Sequence, residues 1–500
     1  MIKKSSLWLV SLLTLGSASA FAADGDPDST FGFSARAYIP WVRGTPDAAD
    51  TVAVLSQPDG KVVLVGNVNV YSGFNDQDGN PINTNGIGVT RELLNGQMDP
   101  SFGGNGTGYF LIYSDPRDDH VIHARAATLD INGRILIAGY DSDHNVGRQS
   151  AAVWAVKPTG SALDANFGSG GEYVHDRGVN GSSDTLLSIY ASNATDIQTG
   201  TWNGYLVSGI VNNNDGINQG YVSGLTATGH YFAEYAFPIS ANGATCATTT
   251  AASLAFKTGG LAGSLLYASG TAVCGGLHFA HVVRIRNWGP DLTFAGTGVK
   301  VFSFGGNGSD PVNSPSAATS VAIDIFGRAL VGGYVYSSDL RTPKDMGVAR
   351  IGVGGDFDTS FAGNGYTTFS WGSAEYTWVN KVLLQYDGKI LLGGNEVLML
   401  PGAPPAGLAA LMRLNDDGSA DSGFGNRFGV SGASDYNFPL HGGYSPMPLV
   451  SSMDFTEGEN VLLGGYVQDP TALQSTYFSV MRIRNGPIRT PDLIFRDGFE

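Results

Sequence analysis

Seven short apolar segments, each ending on a glycine, recur along this 500-residue chain. Successive glycines are 61 to 73 residues apart, so one supersecondary unit repeats along most of the chain. We number these units repeats 1 to 7. A chain of this kind is expected to fold as one repeat array rather than as several unrelated domains. The glycines are Gly66, Gly139, Gly209, Gly270, Gly333, Gly394 and Gly465, in the contexts LVGN, IAGY, VSGI, ASGT, VGGY, LGGN and LGGY.

Repeat 5 shows most clearly how one unit is built. Residues 319–324 and 328–336 predict two strands joined by a tight turn, and 347–351 and 366–370 predict a third and a fourth strand. A D-x-x-F-[GA] turn joins the third strand to the fourth. This turn begins at Asp28, Asp99, Asp164, Asp291, Asp358 and Asp421, and repeat 3 lacks it.

The D-x-x-F turn has a structural interpretation and a metal-binding alternative. We interpret its aspartate as an acceptor for turn amides, and its phenylalanine as a side chain that fills the gap between neighbouring sheets. The alternative makes the aspartates calcium ligands. No copy has the D-x-D-x-D-G spacing that a calcium loop needs, so we predict structural turns and no metal site.

Four-stranded units repeated seven times predict an all-β fold, a seven-bladed β-propeller of four-stranded antiparallel blades. A D-x-x-F-G turn and a strand at 33–39 precede the first hairpin, whereas repeat 7 ends at 479–484 without an ordinary fourth strand. We therefore expect the N-terminal strand to complete the last blade and close the ring. Closure removes an open sheet edge, which would otherwise invite aggregation.

The composite motif resembles a known family. D-x-x-F-G-x-x-G, an apolar strand, DGK-[IV]-[LV]-[LV]-G-G and a V-x-R-[IL] strand together resemble the delta-60 repeat proteins, bacterial proteins expected to be propellers. The resemblance covers residues 28–486 and is weak in repeats 3 and 4. It implies the fold and brings no established activity, substrate or catalytic residue.

The last residues, 491–500, allow two interpretations. Their sequence, PDLIFRDGFE, resembles the short IFxDGFE ending of diverse exported proteins of Gram-negative bacteria. Asp492, Phe495 and Gly498 also match the D-x-x-F-x-x-G turn, so the segment is equally interpretable as a leftover turn of repeat 7.

The first residues predict export. Lys3 and Lys4 precede an apolar stretch at 7–15, and small residues at 18–23 offer cleavage positions. An uncleaved membrane anchor is the alternative, but the apolar run is shorter than the roughly 20 residues that span a bilayer. We predict a signal peptide at 1–23, a propeller at 24–486 and a tail at 487–500. The expected product is a monomer with no membrane span, located in the periplasm, at the cell surface or outside the cell.

The net charge of −16 argues against nucleic acid as a partner. Such a surface repels phosphate backbones, and no cluster of lysine and arginine reverses the sign locally.

The two cysteines fit an oxidising compartment. Cys246 and Cys274 flank a predicted hairpin with strands near 251–257 and 264–273. Antiparallel pairing about its turn would place them opposite each other, which predicts a disulfide. Two unpaired buried thiols are the alternative. No CxxC motif or neighbouring histidine pair accompanies them, so we expect no metal there.

The chain shows no motif that carries chemistry. G-x-S-x-G, Walker and H-E-x-x-H sequences are absent, so we predict no catalytic residue, no cofactor and no metal ligand. His120 and His123 lie in a predicted loop before repeat 2, where we interpret them as solvated side chains. Trp371, Tyr376 and Trp378 form an aromatic cluster between repeats 5 and 6. Packing against the adjoining sheet is favoured there, and ligand contact is the alternative.

Long, variable segments are expected on one face of the array, opposite the short repeated turns. They span 71–86, 335–345, 396–406 and 431–448. Variable loops on a rigid scaffold commonly carry recognition. We predict an exported, non-enzymatic binding or scaffold propeller that recognises a protein or a glycan through this face. A secreted hydrolase or lyase with a site at the mouth of the central channel is the alternative.

Overall fold

The structure, a computed structural model of the chain, describes most of residues 24–485. The gaps are at 33–35, 40–48, 76–78, 80, 105, 114–119, 146, 176–181, 193–203, 213–215, 261–262, 307, 309–311, 341, 372–373, 400–405, 428–429, 437–448, 457, 459 and 469–475. Every regular element within the described residues is a β-strand. The predicted signal peptide and the tail at 487–500 lie outside the described residues.

The first half of the chain contains β1 to β15. These strands are β1 Arg36–Ile39, β2 Ala49–Ser56, β3 Val62–Asn75, β4 Pro81–Glu92, β5 Tyr109–Tyr113, β6 His120–Leu129, β7 Ile135–Asp143, β8 Arg148–Val156, β9 Glu172–His175, β10 Thr185–Ser192, β11 Gly204–Asn212, β12 Asn218–Thr226, β13 Tyr231–Ala236, β14 Ser240–Ala241 and β15 Ala244–Thr249.

The second half contains β16 to β33. These strands are β16 Ser253–Gly260, β17 Gly263–Cys274, β18 Leu277–Arg286, β19 Gly289–Pro290, β20 Val299–Phe302, β21 Ser316–Ile323, β22 Ala329–Tyr336, β23 Pro343–Ile351, β24 Tyr366–Phe369, β25 Ala374–Leu384, β26 Ile390–Leu398, β27 Ala406–Leu414, β28 Asn426–Arg427, β29 Val430–Ser431, β30 Ala433–Tyr436, β31 Leu449–Phe455, β32 Val461–Gln468 and β33 Thr476–Ile483.

The strands pair into four-stranded antiparallel sheets, as the sequence predicts. Repeats 1, 2, 5 and 6 form the sheets β2-β3-β4-β5, β6-β7-β8-β9, β21-β22-β23-β24 and β25-β26-β27-β30. Repeats 3 and 4 share an eleven-stranded sheet, because β15 pairs both with β12 and with β17. Repeat 7 contributes β31-β32-β33, and β1 from the N-terminal segment pairs antiparallel with β33, with Arg36 opposite Met481.

Apolar side chains fill the spaces between neighbouring repeats. One cluster joins repeats 5 and 6 through residues such as Met346 and Leu392, and another joins repeats 6 and 7. A further cluster joins repeat 7 to repeat 1, where Val54 packs with Leu462 and Phe478. The first strands of neighbouring repeats contact each other, and β2 of repeat 1 also contacts β31 of repeat 7.

The D-x-x-F turn has the predicted structural role. In repeat 5 the Asp358 Oδ1 accepts hydrogen bonds from the backbone N–H of Ser360, at 3.1 Å, and from its hydroxyl, at 2.7 Å. Phe361 is fully buried in the cluster between repeats 5 and 6. The same aspartate-to-amide bond occurs at Asp28, Asp99, Asp164, Asp291 and Asp421.

The arginine of the V-x-R strand is a partner of this turn that the sequence analysis did not recognise. Arg350 donates from Nε to the Asp358 Oδ2, at 2.8 Å, and its guanidinium carbon lies 5.0 Å from the centre of the Phe361 ring. Its Nη1 donates to the carbonyl oxygen of Asp416 in repeat 6. One side chain therefore ties its own turn to the next repeat.

Repeat 3 lacks the D-x-x-F turn, and the structure shows what replaces it. Trp288 of repeat 4 packs edge-on against Phe232 of repeat 3, with ring centres 5.3 Å apart. Its φ is +57°, at a position that Gly96 occupies in repeat 1 with φ +76°. The bulky indole adopts this strained conformation where the preceding repeat has no D-x-x-F phenylalanine to fill the space.

Candidate ligand-binding site

The first strand of six repeats contains a one-residue bulge near its start. The pairing with the second strand shifts after Thr51, Ala124, Leu186, Ala318, Val379 and Val450. The bulge pushes a backbone carbonyl towards the repeated glycine. A Cβ on Gly333 would lie 1.9 Å from the carbonyl oxygen of Ala317, and one on Gly139 would lie 1.8 Å from that of His123. The repeated glycine that marks the sequence thus makes room for the bulge.

The residue whose carbonyl faces the glycine differs from repeat to repeat. These residues lie in or just before the first strands, on the face opposite the short hairpin turns. Most of them are hydroxyl-bearing or apolar, and the two titratable ones are neighbours in repeats 1 and 2. The six for which this contact is described are Asp50, His123, Thr185, Thr250, Ala317 and Trp378.

Asn67 connects the two titratable residues. Its backbone N–H donates to the Asp50 Oδ1 at 3.2 Å. Its side chain accepts the Ala124 N–H at 2.7 Å and donates to the Ala124 carbonyl oxygen at 3.1 Å. Asn395 makes the same pair of bonds to Val450 between repeats 6 and 7. The asparagine in the LVGN and LGGN contexts therefore fixes one first strand to the next.

His123 and Arg125 both lie against Tyr140. The imidazole stacks on the phenol with ring centres 5.3 Å apart and planes 5° from parallel. The guanidinium carbon of Arg125 lies 5.7 Å from the Tyr140 ring centre, and the Arg125 side chain is exposed. The His123 Nδ1 lies 2.9 Å from the carbonyl oxygen of Ala124. If Nδ1 carries the proton for that bond, Nε2 is left as an acceptor in the neutral ring.

The surroundings shift the pKa values of this cluster in opposite directions. Burial raises the pKa of Asp50, against the opposing effects of His123, of the hydrogen bonds from Asn67 and of Arg125. Burial and the charge of Arg125 lower the pKa of His123. Burial and the neighbouring Asp50 raise the pKa of Tyr466. The imidazole is therefore neutral at physiological pH, and the permanent positive charge of the cluster is the exposed guanidinium.

This cluster was not anticipated from the sequence. The signal that could have indicated it is the run HVIHAR in β6, which places polar side chains on a first strand that is mostly apolar elsewhere. Nothing in the sequence shows that Asp50, more than seventy residues earlier, lies beside them. That proximity arises from the contact between the first strands of repeats 1 and 2.

The prediction that His120 and His123 lie in a loop is wrong. Both are in β6, because the first strand of repeat 2 starts earlier than its apolar pattern indicates. The His120 Nδ1 lies 3.0 Å from the Asp141 Oδ1, and its Nε2 lies 3.7 Å from the Asp143 Oδ2. Among the described residues, no group of three or more histidine, cysteine or acidic side chains is arranged to hold a metal ion.

The predicted aromatic cluster is divided by the structure. Trp371 is 2% exposed and packs in the apolar cluster between repeats 5 and 6. Tyr376 and Trp378 lie in β25 and are half-buried. The environment of Trp371 matches the packing interpretation, whereas ligand contact by Tyr376 and Trp378 stays a prediction.

The disulfide between Cys246 and Cys274 is present, as predicted. Cys246 lies in β15 and pairs directly opposite Cys274 of β17. The first strand of the hairpin, β16, pairs with the earlier part of β17. The bridge therefore holds the extra strand β15 against repeat 4.

Residues 57–77 match the family model DUF5122, a domain of unknown function described as a beta-propeller. This match and the four-stranded antiparallel sheets support a β-propeller architecture. No curated protein matches the chain. Within the part of the chain that the structure describes, no helix is long and apolar enough to cross a membrane.

Several solved structures are similar in outline. Sqt1 from Chaetomium thermophilum is 11% identical, with a TM-score of 0.41 over 93% of this chain and 100% of that chain. The β-propeller domain of the Trilobed protease from Pyrococcus furiosus is 9% identical, with a TM-score of 0.38 over 91% and 100%. A neuraminidase-like protein of a flat-faced bat isolate is 10% identical, with a TM-score of 0.38 over 95% and 99%.

Proposed function

We propose that the chain is an exported seven-bladed β-propeller, closed by β1, that binds a glycan without catalysing its conversion. Closure is supported by the pairing of β1 with β33 and by the apolar contact between repeats 7 and 1. Export is supported by the disulfide, since such bonds persist in oxidising compartments. The binding site is the cluster of Asp50, His123, Arg125 and Tyr140 where the first strands begin.

One observation carries the choice of ligand. His123 and Arg125 share the ring of Tyr140 beside the Asp50 carboxyl, so an exposed guanidinium, a neutral imidazole and an aromatic ring occupy one small area. Fixed donors and acceptors beside an aromatic ring suit a hydroxyl-rich ligand. A guanidinium adds a partner for a carboxylate. The ligand class that fits is a glycan containing uronic acid, and a protein partner is the other class predicted from the sequence.

Titration calorimetry tests this proposal with a uronic acid oligosaccharide and a neutral oligosaccharide of the same length. We expect the acidic one to bind more tightly, and Arg125→Ala to weaken its binding by about tenfold or more, equivalent to about 1.4 kcal/mol. Leu187→Ala changes the corresponding bulged residue of repeat 3 and is the matched control. Equal affinity of the wild-type protein and Arg125→Ala would contradict the proposal.

A hydrolase or lyase is the second candidate, and the raised pKa of Asp50 beside a neutral imidazole favours it. Glycoside hydrolysis usually employs a pair of carboxyl groups. Asp50 is the single carboxylate among the six residues at the start of the first strands. Release of new reducing ends during the same titrations, abolished by Asp50→Asn, would replace binding with catalysis as the function.

A further inference from the structure

The short-turn face of repeats 4 to 6 exposes five large apolar side chains. Leu292, Ile325, Phe326, Val353 and Tyr386, here called the apolar arc, are between 41% and 76% exposed. They belong to the hairpin turns and to the turns around the D-x-x-F motifs, on the opposite face from the proposed glycan site. Soluble proteins rarely expose several large apolar side chains next to one another. A contiguous exposed apolar area of this kind marks a contact surface.

Contacts between the turns make the apolar arc continuous. Arg284 binds Asp291, next to Leu292, and also donates to the carbonyl oxygen of Val353. A Cβ on Gly327, which follows Phe326, would lie 3.4 Å from the Val353 Cγ1.

The path continues from repeat 5 to repeat 6. The guanidinium carbon of Arg328 lies 4.9 Å from the Phe326 ring centre, and its Nη2 lies 3.3 Å from the Asp416 Oδ1. A Cβ on Gly388, two residues after Tyr386, would lie 3.9 Å from the Asp416 Cβ. The five side chains thus follow one path across three repeats.

The described chain ends close to one end of this path. The Asn485 Oδ1 accepts a hydrogen bond from Arg413 of repeat 6, at 2.8 Å. Arg413 pairs with Asp421, and Lys389 pairs with the same carboxylate at 3.0 Å. Lys389 belongs to the hairpin turn that carries Tyr386. The described chain therefore ends at Asn485, which these hydrogen bonds and ion pairs connect to the hairpin turn of Tyr386 at one end of the apolar arc.

The chemistry of residues 486–500 matches that surface. Their sequence, GPIRTPDLIFRDGFE, contains five large apolar residues, together with two arginines and three acidic residues. Fifteen extended residues span about 50 Å at roughly 3.3 Å each, enough to cross several repeats. Asp387 and Asp416, which pair with Lys389 and Arg328, form a polar border beside the apolar arc.

We propose that residues 486–500 fold back over the apolar arc and cover it, with Ile494 and Phe495 as the main apolar contacts. The segment then shields an exposed apolar surface from solvent and from other molecules, rather than extending freely from the fold. Asp28 and Phe31 already fill the position of a D-x-x-F turn beside Arg482 in repeat 7. The D-x-x-F pattern of Asp492 and Phe495 is therefore not required as a turn of that blade.

Thiol labelling tests the proposal directly, because both natural cysteines form a disulfide. We compare the maleimide labelling rate of a Tyr386→Cys variant in the full chain with its rate in the chain lacking 487–500. Ile131→Cys, at the same turn position in repeat 2 and 62% exposed, is the matched control. Rates are normalised to those of the unfolded variants.

We expect the deletion to speed labelling at position 386 by about fivefold or more and to leave position 131 unchanged. In the full chain, the double substitution Ile494→Ser and Phe495→Ser should reproduce the effect, which keeps the test valid if the deletion fails to fold. Equal rates at position 386 with and without the segment would overturn the proposal, as would faster labelling at both positions. Protection that disappears on dilution would also overturn it, since a second copy would then be the cover.

Discussion

The guanidinium carbon of Arg284 lies 5.0 Å from the centre of the Phe294 ring, and the Arg284 Nε donates to Asp291 at 2.9 Å. The same arrangement recurs in four other repeats, with distances to the ring centre of 4.6 to 5.0 Å. The V-x-R strand and the D-x-x-F turn are therefore two halves of one contact. Desolvated cation–π and charge-assisted contacts of this kind are stronger than exposed ones.

Repeat 2 forms an equivalent contact although the arginine of its third strand is missing. Ala155 occupies the arginine position there, and Asp164 is bound instead by Arg134 of the first hairpin turn, at 3.2 Å. Arg134 also binds Asp130 and the carbonyl oxygen of Ala227 in repeat 3. A cation from another turn thus makes the link to the next repeat.

Loss of Arg284 should destabilise the fold. Arg284→Ala leaves Asp291 without its buried cation, and removing one partner of such a pair typically costs about 3 kcal/mol of unfolding free energy. Urea unfolding measures the change. Arg286→Ala, an exposed arginine two residues along the same strand, is the control and should change stability by less than about 0.5 kcal/mol. Equal losses in the two variants would show that the contact contributes nothing specific.

The glycine beside the bulge should not accept even a methyl group. Gly333→Ala places Cβ 1.9 Å from a backbone carbonyl oxygen, so strands β21 and β22 must move apart. We expect a loss of about 2 kcal/mol or more in thermal or urea unfolding. Gly354→Ala, in the same repeat, meets nothing within 4 Å and should be nearly neutral. A neutral Gly333→Ala would mean that the bulge is not rigid.

Glu92 should make stability depend on pH. Its side chain is buried, and burial raises its pKa from 4.5 to about 8. A raised pKa in the folded state means that the folded chain holds the proton more tightly, so stability falls as pH rises from about 4.5 to about 8. Glu92→Leu, which introduces the residue found at Leu414 in repeat 6, should be more stable than the wild type by a margin that grows over this range.

Urea unfolding at several pH values measures that margin. Glu92→Gln cannot ionise and should remove the same part of the slope. Parallel pH profiles of Glu92→Leu and the wild type would show that Glu92 does not titrate in this window.

The disulfide should stabilise the fold without serving the binding site. Closing the 28-residue separation between Cys246 and Cys274 is worth about 3.6 kcal/mol in the chain-entropy treatment. The double variant Cys246→Ser and Cys274→Ser should lose about that much in unfolding free energy. Its affinity for the oligosaccharide should stay the same, and mass mapping of the wild type without reductant should recover the linked peptides. Free alkylation of both thiols in the native protein would contradict the linkage.

The N-terminal strand should be essential to a closed ring. Deleting residues 24–40 removes β1, which covers the edge of β33, and also Phe31, which is fully buried between repeats 7 and 1. We expect a large loss of soluble, cooperatively unfolding protein, because the deletion exposes a sheet edge. Deleting 487–500 should leave cooperative unfolding in place. Equal tolerance of the two deletions would argue against closure by β1.

The strands and turns of the regular repeats followed from the sequence because they depend on neighbouring residues, whereas the bulges and the shared sheet of repeats 3 and 4 were not predicted. In repeat 5 the predicted strands at 319–324, 328–336, 347–351 and 366–370 correspond to Ser316–Ile323, Ala329–Tyr336, Pro343–Ile351 and Tyr366–Phe369. Period-two alternation and turn glycines are properties of a few consecutive residues. The opposed cysteines were predictable from their symmetric placement about the hairpin turn, although Cys246 lies in the extra strand β15 rather than in the hairpin strand β16.

The tertiary structure alone decided which distant side chains meet. Asp50 lies beside His123, and Arg134 binds the aspartate that the missing arginine of repeat 2 would bind. The turns at Leu292 and Tyr386 belong to one apolar path. All three arrangements arise because separate repeats pack side by side. Such contacts depend on how sheets are stacked, and alternation along a strand carries no information about the neighbouring sheet. The sequence therefore determined the repeated unit, and the packing of one unit against the next determined the candidate site.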